Sequence, residues 1–226
     1  IEIGPGLGAL THRLTEFADV IAIEIDPVLC KLLRAQFAGT KHQLTLIEGD
    51  ARHHLKHLQA GIVCGNLPYY ITSELILESI TIEKAGEFFF LVQSEFAERA
   101  GRADSQSAMS VYLGNFVSTN IVRQVSASCF YPKPKVESSY IHLKRHQPKS
   151  PGAVLSQILQ MSYLSKRKKI RNSWRLARPA DHRITAELLE DTALSIGFAL
   201  EKRAEEIESA AFYQLATSIG NIIQQG

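Results

Sequence analysis

The feature that most constrains the fold is a regular alternation of short apolar runs with amphipathic segments through the first 93 residues. Runs of four to seven residues rich in Ile, Val, Leu and Phe are typical of strands buried on both faces. Alternating strands and helices form a parallel sheet covered by helices. The pattern predicts five strands, at Ile1–Gly4, Val20–Glu24, Leu44–Ile47, Ile62–Gly65 and Glu87–Gln93.

The segments between and after these runs have helical periodicity. They predict helices at Gly8–Phe17, Pro27–Phe37, Ser73–Thr81 and Ser94–Ala100. The pattern changes after Ser107, where a helix over Met109–Val117 leads into two strands at Ile121–Ser128 and Val136–Leu143. A closing hairpin on a parallel sheet accounts for this order of elements.

One stretch of the chain, Gln147–Gly152, has the Pro, Ser and Gly content of a linker, and we place a domain boundary there. Every periodic segment beyond it is typical of a helix. These helices are predicted at Ala153–Tyr163, Lys166–Arg175, Thr185–Ser195 and Arg203–Ser218. We therefore expect two domains, residues 1–147 and residues 148–226, with the second small and all helical.

Charge is unevenly distributed along the chain. Residues 1–147 contain 14 Lys and Arg against 15 Asp and Glu, whereas residues 148–226 contain 11 against 8. A basic excess in the C-terminal third indicates a local contact with a polyanion. Three widely spaced cysteines favour a reducing compartment, and no apolar run has the length of a membrane span. We expect a cytoplasmic monomer.

Three successive strand ends carry residues suited to one nucleoside ligand. Gly4, Gly6 and Gly8 lie in a strand-to-helix turn, where glycine permits sharp turning and close approach to a ligand. Glu24 ends the second strand and could accept both ribose hydroxyls, while Asp50 follows the third and could accept an adenine amino group. No Lys follows the glycines, as a phosphate-binding loop requires. The set therefore favours S-adenosylmethionine over NAD.

The fourth strand ends in Asn66-Leu67-Pro68-Tyr69, which resembles the signature of methyltransferases that act on exocyclic amino groups. With Tyr70-Ile71-Thr72-Ser73 after it, the segment is similar to the KsgA-type ribosomal RNA adenine dimethyltransferases. Four other stretches also resemble that family, in order along the chain: Ile1–Thr11, Leu91–Glu95, Phe130–Ser138 and Lys166–Ser173. The resemblance implies a Rossmann-like class I methyltransferase sheet with a small helical C-terminal domain.

The resemblance also implies a chemistry, the N6-dimethylation of adenines in small-subunit (16S-type) rRNA during ribosome biogenesis. The Asn66 side-chain carbonyl and the Leu67 backbone carbonyl would accept the two N–H bonds of the target amine and aim its lone pair at the methyl group. Positioning and electrostatics would do most of this work. Pro68 would stiffen the loop, and Tyr69 and Phe130 would stack on the two faces of the extruded base.

The expected sites comprise three sets of residues. The catalytic set is Asn66, Leu67, Pro68, Tyr69 and Phe130. The cofactor-binding set is Glu2, Gly4, Gly6, Gly8, Glu24, Ile25, Asp50, Ala51 and Asn66. The RNA-binding set, which would contact phosphates of ribosomal RNA, is Lys166, Arg167, Lys168, Lys169 and Arg171. Arg175 and Arg178 extend this basic run.

His53 and His57 have the spacing of metal ligands one helical turn apart, with His54 between them. Nothing else in the sequence completes a metal site, so we expect a surface helix there and no metal. Cys64 adjoins the reactive segment, but it sits in a buried strand, where an inert core thiol is expected.

Two departures from the family pattern and three alternatives bear on function. The family's N-terminal Gln-Asn-Phe-Leu segment is absent, so we expect a truncated chain with weakened cofactor binding, and Gly101–Ser107 diverges from the usual pattern. An Erm-type methyltransferase acting on large-subunit rRNA is one alternative, although Leu67 and Tyr70 favour the KsgA type. A non-catalytic nucleic-acid-binding relative and a methyltransferase acting on DNA or protein glutamine are the others.

Overall fold

A single seven-stranded sheet forms the framework of the N-terminal half. The computed structural model describes residues 1–39, 43–101, 107–131 and 133–225. Across the sheet the strands follow the order β3-β2-β1-β4-β5-β7-β6. Strands β1 to β5 run parallel to one another, and β7 is antiparallel to β5. The strands are β1 Glu2–Ile3, β2 Val20–Glu24, β3 Leu44–Glu48, β4 Ile62–Asn66, β5 Glu87–Gln93, β6 Val117–Val125 and β7 Ser138–Arg145.

Ten α-helices connect or follow these strands within the described residues. They are α1 Ala9–Leu14, α2 Pro27–Gln36, α3 Ala51–His54, α4 Thr72–Ser79, α5 Ser94–Gly101, α6 Ala108–Gly114, α7 Gly152–Tyr163, α8 Ile170–Leu176, α9 Ala186–Ser195 and α10 Ser209–Gln225. Helix α2 begins as the sequence indicates, because the Asp26 carboxylate accepts the Val28 N–H at 2.8 Å and Pro27 occupies the first helical position.

The order of the strands reverses at β1, and this reversal positions the site. The chain builds β2 and β3 on one side of β1 and then β4 and β5 on the other. Ligand crevices form at such switch points, outside the carboxyl ends of the strands. The approach of β4 to β1 requires glycine, since a Cβ on Gly65 would lie 2.4 Å from the Ile3 carbonyl oxygen.

The chain divides into two compact units that are discontinuous in sequence. One unit comprises Ile1–Ala97 with Thr119–Arg145, and the other comprises Glu98–Ser118 with His146–Gly226. The expected ranges, 1–147 and 148–226, assign every residue before 148 to the first domain. The structure groups Glu98–Ser118, including helix α6, with the C-terminal helices instead.

The linker-like stretch is an ordered part of the second unit. Asn115 is fully buried, and its side-chain oxygen accepts hydrogen bonds from the Ser150 backbone and hydroxyl at 2.9 and 3.0 Å. Its amide nitrogen donates to the Ser150 carbonyl at 3.0 Å. The sequence predicts a domain boundary at this stretch, and the side-chain pairing fixes the backbone that leads from it into α7.

Three predicted limits of helices and strands need correction. Helix α8 begins at Ile170 rather than Lys166, so the Lys166–Lys169 segment is a turn. Helix α10 begins at Ser209 rather than Arg203, because Ala204–Glu206 forms a 3-10 turn capped by Glu206. Strand β6 begins at Val117, where the sequence predicts the end of a helix.

The second unit has a core of its own around Trp174. The indole is fully buried and packs near Phe198, with ring centroids 5.7 Å apart. Its Nε1–H donates to the Ser162 hydroxyl at 2.8 Å, and that hydroxyl donates to the Ile158 carbonyl at 2.6 Å. A buried indole N–H needs a hydrogen-bond acceptor, and the Ser162 hydroxyl provides one for Trp174.

We expect Ser162→Ala to lower the free energy of unfolding by about 1–3 kcal/mol, because the Trp174 N–H would be buried without an acceptor. Urea denaturation measures this change. Ser156→Ala on the same helix is the matched control, since Ser156 is half-buried and its hydroxyl forms no hydrogen bond with any described residue. A Ser162→Ala protein as stable as the control would contradict this account of the core.

Candidate active site

A cleft of about 260 Å³ opens at the carboxyl ends of β1 to β4. Strand β1 contributes Gly4 just after its end, β2 contributes Glu24, and β4 contributes Asn66. Of the expected cofactor-binding residues, six line the cleft: Gly4, Glu24, Ile25, Asp50, Ala51 and Asn66. Apolar walls are added by residues that the sequence did not single out for binding: Ile3, Ile23, Ile71 and Leu75.

Glu24, at the end of β2, holds the turn after β1 that contains Gly4, Gly6 and Gly8, which we call the glycine loop. One carboxylate oxygen accepts the Gly6 N–H at 3.1 Å, and the other accepts the Asp26 N–H at 3.0 Å. Its backbone carbonyl accepts the Gly49 N–H at 2.8 Å. Each carboxylate oxygen keeps a second lone pair that can face the cleft. Glu24 can therefore hold the loop and accept ligand hydroxyls at the same time.

Three expected cofactor residues, Glu2, Gly6 and Gly8, lie outside the lining of this cleft. Glu2 is 1% exposed, and its carboxylate accepts the Thr11 hydroxyl at 2.6 Å. Burial raises the pKa of this carboxyl above its ordinary value. Gly8 has φ of 84°, and a Cβ there would lie 2.9 Å from the Leu33 and Phe37 side chains. Glu2 and Gly8 are therefore buried against the protein interior, and Gly6 is held through its N–H by Glu24.

Asp50 caps the N-terminus of α3 in the lining of the cleft and is held by Arg52. The carboxylate accepts the Arg52 backbone N–H at 3.0 Å and its guanidinium N–H groups at 2.6 to 3.1 Å. These guanidinium bonds lower the pKa of the Asp50 carboxyl from 3.8 to about 2. Arg52 also donates to Glu74 on α4 at 2.7 Å, so one guanidinium joins two elements of the cleft.

A second cavity of about 270 Å³ adjoins the first. Asn66 and Pro68 line both cavities, so the two meet at the end of β4. All five residues of the expected catalytic set line the second cavity, together with Tyr131 and Pro134. The structure thus brings Phe130 to Tyr69, although 61 positions separate them in the sequence.

Hydrogen bonds fix the Asn66–Tyr69 segment at both ends. The Leu67 N–H donates to the Leu91 carbonyl of β5 at 3.1 Å, and the Tyr69 hydroxyl is 2.6 Å from the Ser138 hydroxyl of β7. The Pro68 carbonyl accepts the Thr72 hydroxyl at 2.9 Å. Sequence reasoning missed Thr72 and Ser138 as supports, although Thr72 stands four positions after Pro68, a spacing at which such a bond can form.

The Asn66 side chain itself is exposed in the shared wall of the two cavities. No described residue hydrogen-bonds its amide. The Asn66 oxygen is therefore available to a ligand, on a loop whose backbone is already ordered. Preordered acceptors of this kind cost little reorganisation when a ligand arrives.

Phe130 is placed by a short 3-10 turn over Ala127–Cys129. The Ala127 N–H donates to the Glu137 carboxylate at 2.9 Å, and the Phe130 N–H donates to the Ala127 carbonyl at 3.3 Å. Phe130 is half-buried, while Tyr131 beside it is fully exposed. One aromatic wall of the pocket is Tyr69, which is held at β7 through Ser138. The other is formed by Phe130 and Tyr131.

The structure separates the expected RNA-binding residues into two groups. Lys169 pairs with Glu201 at 2.7 Å, and Arg171 lies 3.2 Å from Glu201 and 3.5 Å from Glu190. Lys166, Arg167 and Lys168 are exposed in the turn before α8, and their side chains have no partner in the described part of the chain. Partners distant in sequence thus neutralise part of the basic run.

No three His, Cys, Asp or Glu side chains come together as a metal site among the described residues. His53 and His54 lie on α3, and His57 lies in the 3-10 turn that follows it. Cys30 and Cys64 are buried free thiols and Cys129 is exposed. No helix in the described ranges combines the length and apolar character that crossing a membrane requires.

The model of the family described as ribosomal RNA adenine dimethylase matches residues 1–214. The chain belongs to that family. Membership implies S-adenosylmethionine as the cofactor and makes the chain a methyltransferase, so the resemblance drawn from the motifs is confirmed.

Curated members of the family align along nearly the whole chain. Ribosomal RNA small subunit methyltransferase A from Aliarcobacter butzleri is 32% identical, over 98% of this chain and 85% of that protein. The protein of the same name from a Synechococcus strain is 34% identical, over 97% of this chain and 85% of its own.

Two solved structures share the fold. A dimethyladenosine transferase from Plasmodium falciparum has a TM-score of 0.77 at 23% identity, covering 97% of this chain and 89% of that one. The 23S rRNA methyltransferase ErmE has a TM-score of 0.67 at 23% identity, with the same coverage. The expected Rossmann-like sheet with a helical C-terminal region is confirmed.

We expect Arg52→Gln to destabilise the protein most near pH 7 and progressively less toward pH 3. A carboxyl whose folded pKa is lowered from 3.8 to about 2 stabilises the fold above pH 3.8, and that contribution is lost as pH falls through the folded value. Urea unfolding of both proteins from pH 7 to pH 3 measures the difference.

Arg34→Gln is the matched control for this titration. It removes an exposed ion pair with Glu48, at 3.3 Å, from the same unit. Exposed pairs contribute little, so the control should remain within about 1 kcal/mol of wild type throughout. An Arg52→Gln difference that stayed constant from pH 7 to pH 3 would contradict the assigned role of Asp50.

Proposed function

We propose that this protein transfers methyl groups from S-adenosylmethionine to the N6 amines of adenines in small-subunit ribosomal RNA, giving N6,N6-dimethyladenosine. One observation carries the proposal. The two cavities at the strand ends share Asn66, whose amide faces them without a partner among the described residues. One cavity suits a nucleoside cofactor and the other a flat base. The methyl donor and the amine that accepts the methyl group would therefore meet at Asn66.

The residues of the first cleft fit S-adenosylmethionine. Glu24 has free carboxylate lone pairs for the ribose hydroxyls, and exposed Ile25 offers a flat apolar surface to an adenine ring. The Asp50 carboxylate stands at the adenine end of this arrangement. Its bonds to Arg52 fill most of its acceptor capacity, so we assign it a charge-positioning role alongside any contact with the adenine amine.

S-adenosylmethionine supplies an electrophilic methyl group when it is bound. The chain's own contribution is to present the amine. An adenine amine is a weak nucleophile because its lone pair is delocalised into the ring. The Asn66 side-chain oxygen and the Leu67 carbonyl can accept its two N–H bonds, which favours a tetrahedral nitrogen and directs the lone pair across the shared wall.

The second cavity would hold the extruded base between two aromatic rings. Tyr69 is restrained by its 2.6 Å contact with Ser138, and Phe130 is restrained by the anchored turn before it. Stacking on such rings contributes about 1–3 kcal/mol per base. That contribution offsets the cost of removing the base from its stack.

We assign the second compact unit, Glu98–Ser118 with His146–Gly226, the role of an RNA anchor and call it the helical unit. Lys166, Arg167 and Lys168 are exposed and unpaired within the described ranges, so they can contact phosphates directly. Lys169 and Arg171 would have to exchange carboxylate partners to do so. The anchoring contribution is therefore greatest at the turn before α8 rather than on the helix.

The small subunit is favoured over the large one as the substrate. The curated relatives carry small-subunit names, and Leu67 and Tyr70 resemble the KsgA type. An Erm-type activity remains the alternative that the experiment must separate, since ErmE has the same fold. We also propose a cytoplasmic monomer, which suits three unpaired cysteines and an rRNA substrate.

The decisive experiment uses labelled S-adenosylmethionine with small and large ribosomal subunits that lack adenine dimethylation. We expect label in dimethyladenosine from the small subunit. Asn66→Ala should lower kcat by about 10²–10³-fold, the cost of removing one preorganised polar group, while the cofactor Kd changes by less than about threefold. Equilibrium binding of S-adenosylmethionine measures the second quantity.

Asn221→Ala, an exposed position on α10, is the matched control and should leave both quantities unchanged. Label in large-subunit rRNA alone would overturn the substrate assignment. Near-normal turnover by Asn66→Ala would overturn the role of Asn66.

A further inference from the structure

The helical unit contains a pocket of its own, with a volume of about 190 Å³. The end of α7 forms one side of it, and the segment that leaves α8 forms the other. Its lining consists of two amides, one cation and four apolar residues: Gln157, Gln160, Met161, Leu164, Ala177, Arg178 and Pro179.

The polar groups of this pocket have unused hydrogen-bonding capacity. The Gln160 amide is exposed and has no partner in the residues that the structure describes. The Gln157 side-chain oxygen accepts the Asp181 N–H at 3.2 Å, which leaves its NH₂ group available to donate. Donors and acceptors on amide side chains match the edge of a nucleobase.

The cation at the rim is also unpaired. Arg178 is exposed and forms no ion pair within residues 133–225. Elsewhere in the basic run, Glu190 accepts two bonds from Arg175, at 2.6 and 2.7 Å, and Glu201 neutralises Lys169. The uncompensated charge therefore lies at Arg178 and in the Lys166–Lys168 turn, which begins two residues after Leu164.

The apolar residues supply surfaces for a flat ring. Met161 is 3% exposed and forms part of the floor, while Leu164 is 57% exposed at the edge. Pro179 and Ala177 add rigid apolar surface on the other side. An apolar slot with amide groups and a cation at its rim suits a base with its phosphate, rather than a phosphate alone.

We propose that this pocket binds one unpaired nucleotide of the substrate RNA, distinct from the adenine that is methylated. Its base lies between Met161 and Pro179 with an edge on Gln160, and its phosphate contacts Arg178. The proposal rests on the proposed function, since it takes ribosomal RNA as the ligand. It gives the helical unit a contact with a base in addition to contacts with phosphates.

The test measures the affinity of the protein for unmethylated small ribosomal subunits over a series of KCl concentrations. Arg178→Gln should weaken binding about tenfold and reduce the slope of log K against log salt by about 0.7, the change for one lost phosphate contact with a single strand. Gln160→Ala should weaken binding several-fold with the slope unchanged, because its contact is with a base.

Arg175→Gln is the control within the same basic run. Because Arg175 is already neutralised by Glu190, the salt dependence of binding should stay that of wild type. Chemical probing provides a second readout. Wild type should protect the base-pairing edge of one unpaired nucleotide, and Gln160→Ala should lose that protection while thermal unfolding is unchanged.

Unaltered affinity in both pocket variants would overturn the proposal, as would equal slope changes in Arg178→Gln and Arg175→Gln. Pocket variants that bind RNA normally but lose a protein partner would assign the pocket to protein binding and also overturn it. Methyl transfer by wild type in the same samples reports the proposed function separately, so failure of the pocket and failure of the enzyme give different results.

Discussion

The close pairing of β1 with β4 is the contact on which the candidate site depends. Gly65 lets the two strands approach, since any Cβ there would collide with the Ile3 carbonyl. The pairing brings the glycine loop after β1 beside Asn66 at the end of β4, where an added Gly4 Cβ would be 4.0 Å from the Asn66 carbonyl oxygen. A cofactor cleft and a base pocket can share one wall only because these strand ends are neighbours.

Around that shared wall, hydrogen bonds hold the charged side chains in place. Glu24 holds the glycine loop and retains free lone pairs, while Arg52 holds Asp50 ionised and links it to α4. In the helical unit, Glu190 and Glu201 neutralise some cations of the basic run and leave others free. Tertiary contacts therefore decide which charged side chains remain available to a ligand.

Much of the framework could be predicted from the sequence because local signals and the fold agree there. The limits of β2 and β5 match the prediction, and Asp26 with Pro27 marks the start of α2. Predictions failed where tertiary contacts decide. The turn at Lys166–Lys169 replaces a predicted helical turn, and the Ile170 N–H that follows it donates to the distant Lys202 carbonyl at 2.8 Å. No local pattern in the sequence reveals that contact.

The site could be predicted in its chemistry but not in its supports. Residues at strand ends, such as Glu24, Asp50 and Asn66, can be found because parallel strands present their carboxyl ends at one edge. The Tyr69–Ser138 contact and the Arg52 bridge to Glu74 join positions 69 and 22 residues apart, which spacing alone cannot pair. Burial of Glu2 and Gly8 is likewise a tertiary property, which the glycine motif alone does not indicate.

The most direct test of the account is a crystal structure of the protein with S-adenosylhomocysteine, the product of methyl transfer from the proposed cofactor. We expect the ribose hydroxyls within hydrogen-bond distance of Glu24, the adenine ring against Ile25, and the sulfur directed toward the wall that Asn66 forms with the second cavity. A ligand bound elsewhere, or a sulfur directed away from Asn66, would contradict the claim that the two cavities work as one site.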